Sequence, residues 1–211
     1  MPGKLTEMTT ASENPRAALL DLLARTSFRL GDFTLSSGAK SDYYIDCRTT
    51  TLHAEGARLT GLAILDLLRE HELEPAAVGG LTMGADPVVS AVSIASAWRA
   101  QREPNAALIH GFLVRKAEKT HGTGRRIEGF LEKDAPVLIV DDVCTTGAST
   151  ITAIEAAREA GMRVIAAVCL VEREEAGGRS ALEAACQGAP FLRLYTANDV
   201  RVSHVRQMPR S

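Results

Sequence analysis

Residues 137–150 hold the side chains whose types and order are best suited to chemistry. A β-branched apolar run, 137–140, ends in Asp141 and Asp142, and a short turn of threonine, glycine and serine follows. The apolar run predicts a buried parallel strand and residues 151–160 predict a helix, so the turn lies at a helix N-terminus. Free backbone N–H groups and the positive end of the helix dipole favour an anion there. The segment therefore predicts a phosphate site.

The two acids narrow the choice of ligand. Adjacent carboxylates facing a phosphate would repel it, so we expect Asp141 and Asp142 to accept hydrogen bonds from ribose hydroxyls or to hold hydrated Mg²⁺. Gly147 stands alone and Ala148 follows it, which excludes the P-loop and the three-glycine dinucleotide fingerprint. An ordinary strand, turn and helix would explain Asp142 or Thr145 singly as an N-cap, but not the whole string. The ligand that fits is a ribose phosphate.

Residues 115–126 form a second chemically unusual segment. They contain five arginine or lysine residues, one glutamate and two glycines, with no apolar periodicity. Arginine offers a bidentate fork and lysine a point charge, and both suit a diphosphate. The glycines would let the segment close as a lid and exclude water. A solvated charged loop is the alternative, but the neighbouring ribose-phosphate turn favours an anion clamp.

The composition is that of an ordinary globular chain. Of 211 residues, 45% are hydrophobic and 24% charged, and no apolar run approaches the roughly 20 residues of a membrane span. A formal net charge of −2 argues against general affinity for nucleic acid. The four cysteines have neither paired nor metal-like spacing, which favours reduced core thiols. We expect a soluble cytoplasmic protein with no nucleic-acid or membrane partner.

Helical and strand patterns alternate along the chain. Apolar spacing predicts helices at Pro15–Thr26 and Ala54–Glu70, and the Gly-, Ser- and aromatic-rich residues 28–47 predict a hairpin-like flap between them. Further strands are predicted at 76–78, 106–114, 137–140, 164–171 and 191–195, and further helices at 87–100, 151–160 and from 180. This order predicts an α/β fold with a central parallel sheet flanked by helices and a small N-terminal hood or flap.

The predicted organisation has four parts: a disordered leader at 1–14, a helix and flap at 15–50, a core at 51–200 and a frayed C-terminal tail at 201–211. Ligands of such folds bind beyond the carboxyl ends of the parallel strands, so the segments after each strand should converge. These segments are a small-residue turn at 79–85, then 115–128, 141–149 and 172–175.

Two motifs resemble those of a known family. The string of four apolar residues, two acids, one apolar residue and a Thr- and Gly-rich turn resembles the phosphoribosyl-diphosphate (PRPP) signature of type I phosphoribosyltransferases. The pattern Arg-Lys-x-x-Lys-x-His-Gly at 115–122 is similar to the lid of orotate phosphoribosyltransferases. The resemblance covers residues 15–200. It implies the family fold and the transfer of ribose 5-phosphate from PRPP to orotate, giving orotidine 5′-phosphate and diphosphate.

The resemblance also implies roles for particular residues. The catalytic residues would be Lys119, His121 and Asp142. The PRPP contacts would be Arg115, Lys116, Lys119, His121, Asp141, Asp142, Val143, Cys144, Thr145, Thr146, Gly147, Ala148 and Ser149. The orotate contacts would be Tyr44, Ile45, Thr145 and Arg173. Mg²⁺ would be the cofactor, held mainly by PRPP with no direct protein ligand, and two copies would form a homodimer with shared active sites.

The flap and the last core strand supply the orotate site in this interpretation. Residues 33–46 resemble the family's flap, although Ser36 stands where many bacterial members carry lysine. Packing within a hairpin is the alternative role for Tyr43 and Tyr44. Arg173 lies in a pattern resembling the family's acid-Arg-x-Glu, and a bidentate pair with the carboxylate of orotate would exclude bases that lack one.

Two other functions share the ribose-phosphate signature. A purine phosphoribosyltransferase would lack the lid pattern and Arg173. A PRPP-sensing regulator without catalysis would need a nucleic-acid-binding module or basic face, and the charge of the chain supplies neither.

Overall fold

The computed structural model describes residues 14–34, 38, 40–116 and 126–208. The strands are β1 (Phe28–Thr34), β2 (Lys40–Ile45), β3 (Ala77–Leu81), β4 (His110–Val114), β5 (Ile127–Gly129), β6 (Pro136–Cys144), β7 (Arg163–Glu172) and β8 (Phe191–Thr196). The last six form one sheet in the order β5-β4-β3-β6-β7-β8. All neighbouring pairs are parallel except β4 and β5. The predicted parallel sheet is confirmed, with an added antiparallel edge strand.

Helices cover both faces of this sheet. They are α1 (Pro15–Thr26), α2 (Arg48–Thr51), α3 (Ala54–Glu70), α4 (Asp86–Ala100), α5 (Ala148–Glu159), α6 (Arg179–Cys186) and α7 (Ala197–Gln207). Leu138 and Val168 belong to a buried cluster with α1, α3, α4 and α7, whereas Ile139 and Ala167 belong to a second cluster with α5 and α6. The alternation of side chains along each strand therefore explains why both faces are covered.

The predicted hairpin-like flap is present as an antiparallel pair of β1 and β2 beside the main sheet. Phe28 and Tyr43 fix it, since both are buried and their rings stack with centroids 5.3 Å apart. No described helix combines the length and apolarity needed to cross a membrane.

The prediction that strand β3 ends at residue 78 is wrong. The strand continues through Gly79 and Gly80, which are buried. A Cβ on Gly79 would lie 2.3 Å from the Phe112 ring, and one on Gly80 would lie 2.2 Å from the Val140 oxygen. Glycine here permits close packing rather than a turn.

Other element ends also differ from the prediction. The strand predicted from residue 106 begins at His110, and Leu108 before it is exposed. Strand β6 runs past its apolar residues through Asp141 and Asp142 to Cys144, so the acids lie on the strand and only the residues after it form the turn.

The predicted frayed tail is wrong for residues 201–207, which lie in α7. Thr196 and Asp199 form a capping box at the start of this helix. Val200 is fully buried, and the Ser203 hydroxyl donates to Asp21 of α1 at 2.9 Å. Asn14, placed in the leader by the sequence, is the N-cap of α1 and accepts the Arg16 amide at 3.0 Å.

Candidate active site

A cavity of about 1060 Å³ lies where the flap meets the carboxyl edge of the sheet. It brings together Tyr44, Thr145 and Arg173, three of the four residues expected to contact orotate. The fourth, Ile45, packs against the core cluster beside the flap. The cavity wall consists of Thr34, Lys40, Ser41, Asp42, Tyr43, Tyr44, Thr145, Thr146, Arg173, Glu175, Ala176, Ala197, Asn198 and Arg201.

Arg173 is held in one orientation by the flap and by its own turn. The residue is only 8% exposed, and its Cζ lies 4.5 Å from the centroid of the Tyr43 ring. Its Nε donates to Tyr43 Oη at 2.9 Å and to Glu175 Oε1 at 3.0 Å, and its Nη2 donates to Ser41 Oγ at 3.2 Å. A buried and oriented guanidinium of this kind is suited to a planar carboxylate.

The turn that carries Arg173 is anchored from behind by Glu172. The Glu172 carboxylate is buried and accepts bonds from Arg179, with Nε at 2.9 Å, and from Arg193. Arg193 also pairs with Glu174 at 2.6 Å. Burial tends to raise the pKa of Glu172, but the two arginines outweigh it and hold that pKa below its usual value. Salt bridges from Arg179 and Arg193 therefore hold the carboxyl end of β7 in place.

The signature turn leads directly into a helix, as the sequence predicts, but α5 begins at Ala148 and not at residue 151, so Ala148 and Ser149 lie in its first turn. Gly147 is the N-cap of α5 and adopts the left-handed conformation, with φ of 79°. A Cβ there would lie 2.6 Å from Leu182 Cγ, so both backbone conformation and space require glycine. The first N–H groups of a helix have no intrahelical partner, and Thr145, Thr146 and Ser149 are exposed beside them. This arrangement can bind a phosphate.

Val143 and Cys144 of the expected PRPP contacts face the protein interior. Val143 packs against one core cluster, and Cys144 is 1% exposed within the other. The Cys144 carbonyl accepts the Arg173 amide at 2.8 Å, which links the signature strand to the strand of the arginine. The Cys144 side chain is therefore not available to a ligand, and its expected role falls to its backbone.

The two acids differ in their surroundings. Asp141 is buried, and its carboxylate accepts the Thr150 hydroxyl at 2.8 Å and the Asp142 amide at 3.0 Å. Burial first, and then the charge of Asp142, raise the pKa of Asp141 to about 7. Burial also raises the pKa of Asp142, whose Oδ1 accepts the Val143 amide at 2.9 Å. Positive charge delivered by a ligand would favour ionisation of both acids.

Replacing Asp141 by asparagine is expected to stabilise the protein at pH 8. Between pH 3.8 and about 7 the folded state retains a proton that the unfolded state has lost, so the free energy of unfolding falls as pH rises. Asparagine does not ionise, so it removes this loss of unfolding free energy, which is on the order of a few kcal/mol. Urea unfolding at pH 4 and pH 8 measures it. If the free energy of unfolding of Asp141→Asn differs from that of wild type by the same amount at both pH values, Asp141 ionises normally in the folded state.

The loop after β3 lies directly against the signature acids. A Cβ on Gly84 would be 2.5 Å from Asp142 Oδ1, so glycine permits this approach. Met83 beside it is 68% exposed. The end of the segment predicted as a turn at 79–85 therefore borders the site through its main chain.

The ends of the lid segment are tied together by the β4–β5 pair. The Arg115 amide donates to the Arg126 carbonyl at 2.8 Å, and the Arg115 guanidinium lies 3.1 Å from Glu128. Lys116 is exposed. The roles predicted for Lys119 and His121, and the effect of Ser36, concern positions outside the described residues, so they stay predictions.

The structure adds two cations that sequence reasoning missed. Lys40 and Arg201 line the same cavity as Arg173. Lys40 Nζ donates to Thr34 Oγ1 at 2.8 Å, and Arg201 pairs with Asp42. Of the two, only Lys40 had a sequence signal, because it lies within the flap motif.

Known proteins resemble this chain in sequence over most of its length. A phosphoribosyl transferase domain model matches residues 112–184. The orotate phosphoribosyltransferase of Streptomyces coelicolor is 42% identical over 185 residues, covering 88% of this chain and 96% of that protein. That of Thermosynechococcus vestitus is 46% identical over 186 residues, covering 88% and 92%.

Solved structures show the same likeness. Orotate phosphoribosyltransferase of Mycobacterium tuberculosis H37Rv in complex with PRPP is 33% identical, with a TM-score of 0.71, covering 89% of this chain and 99% of that one. Adenine phosphoribosyltransferase of Leishmania tarentolae is 10% identical with a TM-score of 0.60, and shares the fold alone.

The parallel sheet and the signature turn at the start of α5 define a type I phosphoribosyltransferase. Within that class, the chain belongs to the orotate phosphoribosyltransferase family. It is accordingly a pentosyltransferase of pyrimidine biosynthesis, and the purine alternative is set aside.

Proposed function

We propose that this orotate phosphoribosyltransferase binds the 5-phosphate of PRPP at the α5 N-terminus and the carboxylate of orotate at Arg173. One observation carries the proposal: Arg173 and Thr145 line a single cavity, one at the end of β7 and the other after β6. The ring of orotate would lie between them under Tyr44 of the flap. Orotate would then be oriented with its ring nitrogen toward the anomeric carbon of the ribose.

The reaction displaces diphosphate from the anomeric carbon through a cation-like ribose. Stabilising the leaving group and excluding water are therefore the main demands on the protein. Lys119 and His121 of the lid, with Arg115 and Lys116, are proposed to neutralise the departing charge. Asp142, with Asp141 behind it, orients the ribose hydroxyls and favours the developing positive centre. We assign no general base, since the ring nitrogen of orotate is acidic.

We propose Mg²⁺ as the cofactor, held mainly by oxygens of PRPP. The described residues contain no group of three or more His, Cys, Asp or Glu side chains placed to hold a metal. The Asp141 carboxylate already accepts two hydrogen bonds, which fits an ion brought in by the substrate. When bound, Mg²⁺ would neutralise charge on the diphosphate, and Asp142 would be the residue that contacts its waters.

A base-selection assay tests this function. The protein is incubated with PRPP, Mg²⁺ and one of orotate, uracil, hypoxanthine or adenine, and diphosphate release is followed. We expect the rate with orotate to exceed the rate with every other base by orders of magnitude, with uracil turned over slowly and the purines not at all. Turnover with a purine instead would support a purine phosphoribosyltransferase, and PRPP binding without turnover would support a sensor.

We propose that the enzyme is a homodimer whose lids complete the partner's site. A cleft of about 670 Å³ between α3 and α4 exposes Ile94 (55%) and Trp98 (53%), an apolar surface suited to a partner. Beside the cleft, Arg99 and Glu103 form a salt bridge at 2.8 Å, so this surface carries a positive and a negative group. In a two-fold dimer the same surface of both subunits meets, and the opposite charges of the two copies can pair. We propose a second copy of this chain as the occupant, and Trp98→Glu should then yield monomers by sedimentation.

Shared sites predict complementation between two impaired variants, assayed with orotate well below the Michaelis constant of Arg173→Ala. In a heterodimer of Lys119→Ala with Arg173→Ala, one site would contain both changes and the other neither. Co-expression should therefore restore about a quarter of wild-type activity, since half the dimers are mixed and half their sites intact. Steady-state rates of the co-purified mixture measure this. If activity stays at the level of the separate variants, each lid serves its own subunit.

We also propose a cytoplasmic location. Cys47, Cys144, Cys169 and Cys186 are all free and buried. Free thiols are usual in a reducing compartment, which supports the proposal. Fractionation of the producing cells tests it.

A further inference from the structure

The side chain of Glu175 is an unexplained part of the cavity around Arg173. It lies two residues after the arginine, in the 3₁₀ turn Glu174–Ala176, and its side chain is 54% exposed. Its Oε1 accepts from Arg173 Nε and lies 3.0 Å from Arg173 Nη2. It also accepts the Tyr43 hydroxyl of the flap. One carboxylate oxygen thus joins the arginine to the flap.

These contacts all lie on one edge of the guanidinium. Glu175 and Tyr43 occupy Nε, and Glu175 and Ser41 occupy Nη2. Within the described part of the chain, Nη1 of Arg173 has no hydrogen-bond partner. The fork is therefore turned so that its Nη1 end remains for a ligand, while the edge that includes Nε is fixed to the protein.

The Tyr43 hydroxyl is suited to maintain this arrangement. Burial first, and then the hydrogen bond to Glu175, raise the pKa of Tyr43 to about 12. The phenol therefore keeps its proton and can donate it to Glu175 while accepting from Arg173. The Tyr43 ring also lies under the guanidinium at 4.5 Å, which limits rotation out of the plane.

We propose that Glu175 is a positioning and specificity residue, which holds the Nε edge of Arg173 so that its Nη1 end meets the carboxylate of the base. This inference rests on the proposed function, since it assumes that Arg173 binds that carboxylate. Glu175 acts through Arg173 and does not itself contact the substrate. Its effect should therefore be confined to substrates that carry a carboxylate.

The test is a set of Glu175 variants assayed with orotate and with uracil, which lacks the carboxylate. Glu175→Ala should raise the Michaelis constant for orotate about tenfold and leave the PRPP constant unchanged. The ratio of kcat/KM for orotate to that for uracil should fall by a similar factor. Glu175→Gln should restore most of the loss, because its amide oxygen still accepts the three donors. If Glu175 had only a structural role, its loss would lower kcat/KM for orotate and for uracil equally. The ratio would then be unchanged, which would overturn the proposal.

A double-variant cycle separates this inference from the proposed function. In an Arg173→Ala background, Glu175→Ala should cause no further change in the orotate constant, because the group that it positions is absent. An additional tenfold loss would show that Glu175 acts independently of Arg173 and would contradict the inference. If Arg173→Ala alone left the orotate constant unchanged, the proposed base site would fail. If Arg173→Ala raised the orotate constant but Glu175→Ala did not, Arg173 would still bind the base and Glu175 would have no positioning role.

Discussion

Replacing Arg173 by alanine is expected to raise the Michaelis constant for orotate about 100-fold or more, while the constant for PRPP stays within a few-fold of wild type. The guanidinium is buried and held by hydrogen bonds to Tyr43 and Glu175, so water screens its charge only weakly. Removing one partner of a buried, hydrogen-bonded charge pair therefore weakens binding strongly. Steady-state kinetics with each substrate varied in turn measure both constants.

Arg201→Ala is the matched control for this prediction. Arg201 lines the same cavity, but Asp42 already pairs with it. We therefore expect a change of no more than a few-fold in the orotate constant. Equal losses for orotate and PRPP in Arg173→Ala would mean that the arginine only supports the structure. A larger effect from Arg201 than from Arg173 would move the carboxylate site to α7.

Replacing Lys119 by alanine is expected to reduce kcat about 100- to 1000-fold, with a much smaller effect on binding of PRPP. The diphosphate gains charge as it departs, so a lid cation acts mainly in the transition state. In the proposed function the 5-phosphate is held separately by the turn before α5, which the substitution leaves intact. Single-turnover rates and equilibrium binding of PRPP separate the two effects.

Lys133→Ala provides a lysine control remote from the site. Lys133 precedes β6, which starts at Pro136, so it lies at the opposite edge of the sheet from the signature turn. We expect its kcat to match wild type. An unchanged kcat for Lys119→Ala would remove the lid from the mechanism, and a loss confined to PRPP binding would give it a ground-state role only.

Much of the fold could be predicted because its signals are local. The apolar strands and amphipathic helices each fall within a dozen residues, and Ala54–Glu70 has the predicted bounds. Strand β5 could not be predicted, since three residues carry no periodicity and depend on pairing with β4. Helix α7 was missed because it is mostly polar. Its stability comes from a capping box and from contacts with α1, such as the bond between Ser203 and Asp21, which lie 182 positions apart in sequence.

The phosphate end of the site was easier to predict than the base end. The α5 turn is one continuous segment, and its requirement for Gly147 follows from local geometry. The base end joins the flap to the end of β7 and to α7, so Ser41 and Arg173 meet across 132 positions of sequence. Tyr43 was weighed as hairpin packing, and the structure shows both packing against Phe28 and a bond to Arg173.

A crystal structure with orotidine 5′-phosphate would locate both ends of the site at once, because this one molecule carries both the phosphate and the carboxylated base. We expect the 5′-phosphate to accept hydrogen bonds from backbone N–H groups of residues 145–149 and the carboxylate to lie within hydrogen-bond distance of Arg173. A carboxylate bound instead to Lys40 or Arg201, or a phosphate bound away from the turn, would contradict it.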